Sequence, residues 1–267
     1  MTGLMFLFAI LTIIPLISIF AFVITKGVTS INLDFFTHLP KPVGEPGGGM
    51  ANAIVGTLLL VSLACLWAIP VGILAGVYMV EFAGPRIAST IRFTADVLSG
   101  IPSIVIGVFA YSLMVLPMRS FSTISGAFAL GFMLIPTVLR TTEEMIKLVP
   151  QTLREGALAL GISRFKTTIH IVLSTTLPGI ITGTLLGVAR IAGETAPLLF
   201  TAFGNRVWST NLFEPIAALP LQIFVYAISP FEDWQRQAWA GALVLIMMVF
   251  VLSVVSRSAT KRKYSFS

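Results

Sequence analysis

Apolar residues run through this chain in long blocks, broken by short stretches where Pro, Gly and charged side chains collect. The blocks cover residues 4–25, 53–80, 93–116, 124–139, 169–202 and 238–255. A helix crosses the hydrocarbon core of a bilayer with roughly 20 apolar residues, so the pattern predicts about six transmembrane helices and an all-α, polytopic membrane protein. Pro70 predicts a bend in the second block. The fourth runs on as helix toward Lys147. The fifth is unusually long and is interrupted by Pro178, Gly193 and Pro197, which a span tolerates when its neighbours satisfy the freed backbone groups. Residues 1–25 lack a positive leading segment and are apolar for too long to be a signal peptide, so they read as a retained first span.

Composition agrees with the pattern. Of 267 residues, 56% are hydrophobic and 10% are charged, against about 25% charged in a soluble domain. So few charges cannot cover a surface in water. The formal net charge of +6 does not point to nucleic acid, because no basic run is interleaved with aromatics as base stacking requires. The charges sort instead by loop. Residues 26–52 hold Lys26, Asp34, Lys41 and Glu45, which cancel, among Pro40, Pro42, Pro46 and three consecutive glycines, and read as an irregular external loop. Residues 140–166 are net basic, and the tail carries Arg257, Lys261, Arg262 and Lys263 with no acid after them. Basic loops stay cytoplasmic. Six spans put both of these segments, and both chain ends, on that side. Cys65 sits in an apolar run, and His38 and His170 lie in different segments, so no metal-ligand set exists. No Gly-rich phosphate loop is present, so no nucleotide cofactor is assigned to this chain.

Residues 151–174 are too polar to span, yet they follow a span directly. Residues 157–160 favour helix, and Gly161 ends or turns it. The reading is a short helix on the cytoplasmic surface, followed by re-entry into lipid. The order Glu155, Gly156, Ala157, three residues, Gly161, nine residues, Ile171, Val172, Leu173, Ser174 resembles the signature of permease subunits of ABC importers. Gly156 stands where the family has its first Ala and Ser174 where it has a closing Pro. In that family the element is the coupling helix, which docks in a cleft of the ATP-binding subunit. Small residues at 156 and 157 would permit close approach there.

Charged residues inside a span are costly and mark function by default. Arg190 and Glu194 are four apart on one helix face, with Gly193, Thr195 and Pro197 suggesting a locally broken helix that opens backbone groups to a cavity. Chemistry alone leaves two readings open: an ion pair that fixes packing, or a guanidinium that meets an oxyanion in transit, for which its planar fork is suited. Thr195 and Ser103 could donate hydroxyls, or bond back to helix carbonyls. Asp96 pairs with Arg92 or caps its span. Trp208, Trp234, Trp239 and Tyr226 read as an aromatic belt at the outer boundary.

Residues 190–202, 94–107 and 238–245 are similar to the PstA family of phosphate-importer permeases, a likeness running from about Gly49 to Arg257. The resemblance implies an ABC type-1 (MetI-like) permease fold, with residues 1–48 as first span and external loop, 49–257 as permease core and 258–267 as basic tail. It implies a PstC-like second permease, a PstB-like ATPase dimer that binds ATP and Mg, a periplasmic or extracellular phosphate-binding protein, and the prokaryotic inner membrane. It also points to Arg140, together with Arg190, in phosphate passage. The ordinary alternative for Arg140 is a cation at a cytoplasmic helix end. Other functions stay in view: a permease for another oxyanion or polar nutrient, a stand-alone secondary carrier, and an intramembrane lipid-modifying enzyme. The last lacks paired catalytic groups, since Glu194 reads as the only acid deep in a span.

Overall fold

In lipid every backbone N–H and C=O must be satisfied within the protein, which favours helices. A computed structural model describes residues 2–42, 45 and 47–264, and these are helical almost throughout, with one isolated bridge between Phe203 and Ile216. The long helices are α1 (Thr2–Gly27), α3 (Ala51–Glu81), α7 (Thr123–Lys147), α10 (Ser174–Ala192) and α13 (Glu232–Tyr264). By length and composition five described helices can cross a membrane, or six when one bent pair counts as a single span.

The centre is α7. The apolar window of this helix is 67% buried, against 28% or less for the other long helices. On one side it packs along α3, through Leu60, Ala64 and Ala68 against Leu130, Leu134 and Val138. Gly131 lets the Trp67 indole lie on the α7 backbone, where any Cβ would collide with the ring. On its other side lies α10, whose Gly179, Gly183 and Gly187 face Met145, Thr141 and Thr137 in turn. Small residues at every fourth position let two helices approach closely in lipid, where packing and not water release drives association. The outer helix α1 rests on α13, with Phe22 edge-on to Trp239 at 5.0 Å.

Two sequence expectations change here. The block 93–116 is not one span. It divides into α4 (Pro85–Gly100) and α5 (Ser103–Ala110), the latter continued by a π turn and α6 (Leu116–Met118), with a 103° bend between the halves. The cause is Pro102: the residue before a proline is pushed out of helical space, and Ile101 is extended at φ −70°, ψ 130°. The block 169–202 likewise breaks, but at Gly193 and not at Pro178. A continuous run reaches Ala192 from α9 (Arg164–Thr167) through a π turn, and α11 (Ala196–Thr201) then starts separately.

The connections at the end opposite Lys147 are ordered. Asn32 caps α2 (Leu33–Thr37) by accepting the Phe35 N–H at 2.8 Å, and Phe35 is buried. This short helix interrupts the loop expected there, whose described residues from His38 to Met50 are irregular as expected; Pro46 lies outside the described residues. Residues 203–218 fold over the ends of α3 and α7. Glu214 and Leu212 carbonyls accept the N–H groups of Thr123 and Ile124, which a helix start leaves unpaired. Asn52 donates to Asn205 O at 2.7 Å, and Thr57 accepts the N–H of Leu219, the first residue of α12 (Leu219–Ala227). Trp234 and Tyr226 stack at 4.4 Å and are buried, under the Arg206 guanidinium. They therefore pack this end together and are not belt residues facing lipid. The opposite end of the bundle gathers Arg86, Arg92, Arg140, Lys147, Arg154, Arg164 and Lys166 and is called the basic end below. The side chains of Arg257, Lys261, Arg262 and Lys263 lie outside the described residues.

Candidate translocation and coupling sites

The run that ends in α10 carries its basic residue in the last turn, where the helix dipole favours a cation. The Arg190 Nε lies 3.7 Å from Glu194 Oε1, a distance that makes an ion pair but not a hydrogen bond. The Arg190 side chain is 59% exposed and that of Glu194 17%. Between them the chain turns: Gly193 and Glu194 N–H groups close on the Arg190 and Ile191 carbonyls. Thr195, half-buried, precedes α11 and makes no capping bond with its side chain. Pro197 then packs on Gly107 of α5, where a Cβ would meet Pro197 Cα at 2.7 Å. The break thus leaves a guanidinium largely open, with its carboxylate loosely beside it.

Arg140 sits elsewhere, toward the basic end. Gly183 of α10 opposes Thr141 and Gly187 opposes Thr137, so the two antiparallel helices put Arg190 about 10 Å along the bundle from Arg140 at the usual rise per residue. Arg140 Nη1 donates to Glu143 Oε2 at 2.6 Å, and Nη2 pairs with Asp96 Oδ1 at 2.6 Å. Glu143 is 1% exposed and also accepts from Arg92 Nη2 at 2.6 Å and Lys147 Nζ at 2.5 Å. Three cations and two carboxylates therefore share one cluster. The expected Arg92–Asp96 pair does not form, because the break at Pro102 lays α4 along α7 and both residues reach across to it. Glu143, one turn from the end of α7, and Glu81, the last residue of α3, are buried acids at the basic end that the sequence reading did not single out. The signal for Glu143 was in the sequence: Arg140, Glu143 and Lys147 share one helix face at i, i+3 and i+7.

The surface helix is α8 (Gln151–Ala159), started by Pro150. It ends in two bonds, Gly161 N–H to Leu158 O and Ile162 N–H to Ala157 O. This closure places the residue at 161 in left-handed space, and Gly161 has φ +78°. Glu155 is exposed, and a Cβ on Gly156 would meet nothing within 4 Å. Ala157 instead turns inward and is buried. Of the two small residues expected to admit a partner, only Gly156 faces outward. Arg154 ties α8 to α3 through Glu81, from Nη2 at 2.9 Å and Nε at 3.1 Å, with both side chains mostly buried. Leu153, Leu158, Leu160 and Phe165 surround this element with exposed apolar surface.

Comparison with known proteins matches residues 68–262 to the family of binding-protein-dependent transport system inner membrane components. A phosphate transport system permease protein PstA of Yersinia pestis is 46% identical over 90% of this chain and 82% of its own length. A PstA of Haemophilus influenzae is 45% identical over 96% of this chain and 91% of its own. Among solved structures, a chain of a bacterial alginate ABC transporter in complex with its substrate-bound periplasmic protein superposes with a TM-score of 0.71 at 14% identity, covering 97% of this chain and 93% of that one.

Proposed function

The chain belongs to the binding-protein-dependent transport system inner membrane components, among the PstA permeases, and on that premise we propose that it forms half of a pathway importing inorganic phosphate. In this reading a PstC-like permease supplies the other half. A PstB-like ATPase dimer holds ATP and Mg and performs the hydrolysis, so this chain is not itself an enzyme, and a periplasmic or extracellular phosphate-binding protein delivers the cargo. The basic end is cytoplasmic, as are both termini, which accords with the gathering of Arg and Lys there.

The observation that carries the cargo assignment is the open guanidinium of Arg190 at the break after α10. An arginine offers five N–H donors in a planar fork, and Glu194 at 3.7 Å leaves them available. A phosphate oxyanion fits that fork, while the neighbouring carboxylate lowers the local potential enough for release. Thr195 adds a hydroxyl one residue past Glu194. Arg140 is a second cation farther along the same helix pair, held by Asp96 and Glu143 until a passing anion competes for it. The outward Glu155 and Gly156, with Gly161 shaping the turn, present α8 to the ATPase, and the inward Ala157 joins it to the bundle.

The test is labelled-phosphate uptake in proteoliposomes holding the full complex, with Arg190→Gln beside wild type. Uptake is expected to fall at least about tenfold, the worth of one charge-assisted hydrogen bond, with assembly and ATPase rate kept. Unchanged uptake would return Arg190 to a packing role. In parallel, Glu155→Ala is expected to weaken ATPase association while the chain stays inserted. Normal association and uptake in that variant count against α8 as the coupling element.

A further inference from the structure

At the basic end, beneath α8, a cavity of about 440 Å³ opens between the ends of α3 and α7 and the start of α9. Glu81, Lys147, Arg154, Arg164, Thr167 and Thr168 line it. Three cations thus face one carboxylate. Two of the three are already paired with a carboxylate, Lys147 with the shared Glu143 and Arg154 with Glu81. Arg154 uses four N–H groups, on Glu81 twice and on the Val149 and Ile146 carbonyls. Arg164 differs. Its Nη2 donates to the Glu81 carbonyl, and its guanidinium lies 5.5 Å from the Phe82 ring, but no carboxylate pairs with it among the described residues. Three residues on, and so on the same helix face, Thr167 is 3% exposed, and its Oγ1 is buried with no hydrogen-bond partner. A buried hydroxyl without a partner costs stability, and such a group beside an uncompensated cation calls for explanation.

We propose that this cavity binds a phosphate-type oxyanion, with Arg164 supplying the charge and Thr167 a neutral donor, so that the occupant bridges α3, α8 and α9 beneath the helix read above as the coupling element. The site rests on that reading only for its regulatory meaning: an anion here would couple phosphate on the cytoplasmic side to the stiffness of α8. Two sources carry the same chemistry, free inorganic phosphate and the phosphate of an anionic lipid headgroup.

The experiment uses the full complex with its ATPase subunits in nanodiscs and reads the thermal unfolding midpoint, which rises when a ligand binds the folded state. In one arm the lipid is phosphatidylcholine and potassium phosphate is titrated against potassium chloride at matched ionic strength. In the other, phosphatidylcholine is compared with an equimolar mixture with phosphatidylglycerol, without phosphate. Phosphate is expected to raise the midpoint, and Thr167→Val to need about tenfold more of it, as loss of one hydrogen bond to a charged group predicts. The difference between Thr167 and Thr167→Val should persist in an Arg190→Gln background, which separates this site from the pathway. Dependence on Thr167 in the lipid arm alone assigns the site to a headgroup and still supports it. If Arg164→Gln does not assemble, Thr167→Val decides, because replacing an unpaired hydroxyl by a methyl leaves packing intact. A Thr167→Val complex that matches wild type in both arms overturns the proposal. Failure of the uptake test with this shift retained would overturn only the transport reading.

Discussion

At the end of α10 one guanidinium meets one carboxylate at 3.7 Å and stays 59% exposed. At the basic end of α7 one carboxylate, 1% exposed, is shared by Arg92, Arg140 and Lys147 at 2.5 to 2.9 Å. The two sites use the same residue types and lie on the same pair of packed helices. The difference is burial. A charge taken out of solvent must be neutralised by close partners, and removing one of them is far more costly than at the surface. Glu143 is therefore a hub that joins α4 to α7, while Arg190 keeps donors available for a visitor. Arg140 belongs to both worlds, being bound in the hub yet one-third exposed.

Each site can be pressed on to break that contrast. Glu143→Gln leaves three cations facing Asp96 alone, and should destabilise the chain by about 3–5 kcal/mol, read as a lowered unfolding midpoint and poor recovery of assembled complex. A variant as stable as wild type would show that the hub is not structural. Arg190→Lys keeps the charge but loses the planar fork. Phosphate uptake should fall by roughly fivefold to tenfold with unfolding unchanged; full uptake would mean that a point charge suffices there. Asp96→Asn removes the more exposed partner of Arg140 and should cost up to about 1 kcal/mol, leaving the bond to Glu143 in place. A loss as large as that of Glu143→Gln would make Asp96 part of the hub proper. Glu194→Gln should cost the fold only a few tenths of a kcal/mol, as a loose pair whose cation is open to solvent does, and retain phosphate more tightly, read as a lower KM with slower turnover. A large loss of stability would make the Arg190–Glu194 pair a packing element after all.

Much of this arrangement was legible along the chain. Apolar block length announced α1, α3, α7 and α13, because crossing lipid sets a minimum run of apolar residues regardless of what packs alongside. Gly161 announced the end of α8, because the left-handed turn it makes is a local property. The spacing of Arg190 and Glu194 announced their shared face. Pro102 could have revealed the break in the third block, since the constraint on Ile101 is local too, but continuous hydrophobicity around it masked the signal. Small residues at 179, 183 and 187 also carried the α7–α10 contact in their spacing alone.

Other features had no local trace. That Arg92 bonds Glu143 and not Asp96, four residues away on its own helix, depends on α4 being laid along α7. That Arg154 reaches Glu81, 73 positions earlier, depends on where α8 comes to rest. That Trp234 and Tyr226 pack inward depends on residues 203–218 folding over the bundle. By itself the sequence determined the helical class, the spans that lipid demands, the basic end and the turn after α8, all set by solvent and backbone over a few residues. Only the tertiary structure decided which charges are buried, which partners neutralise them and which guanidinium stays open, because the cost of a charge depends on everything packed around it.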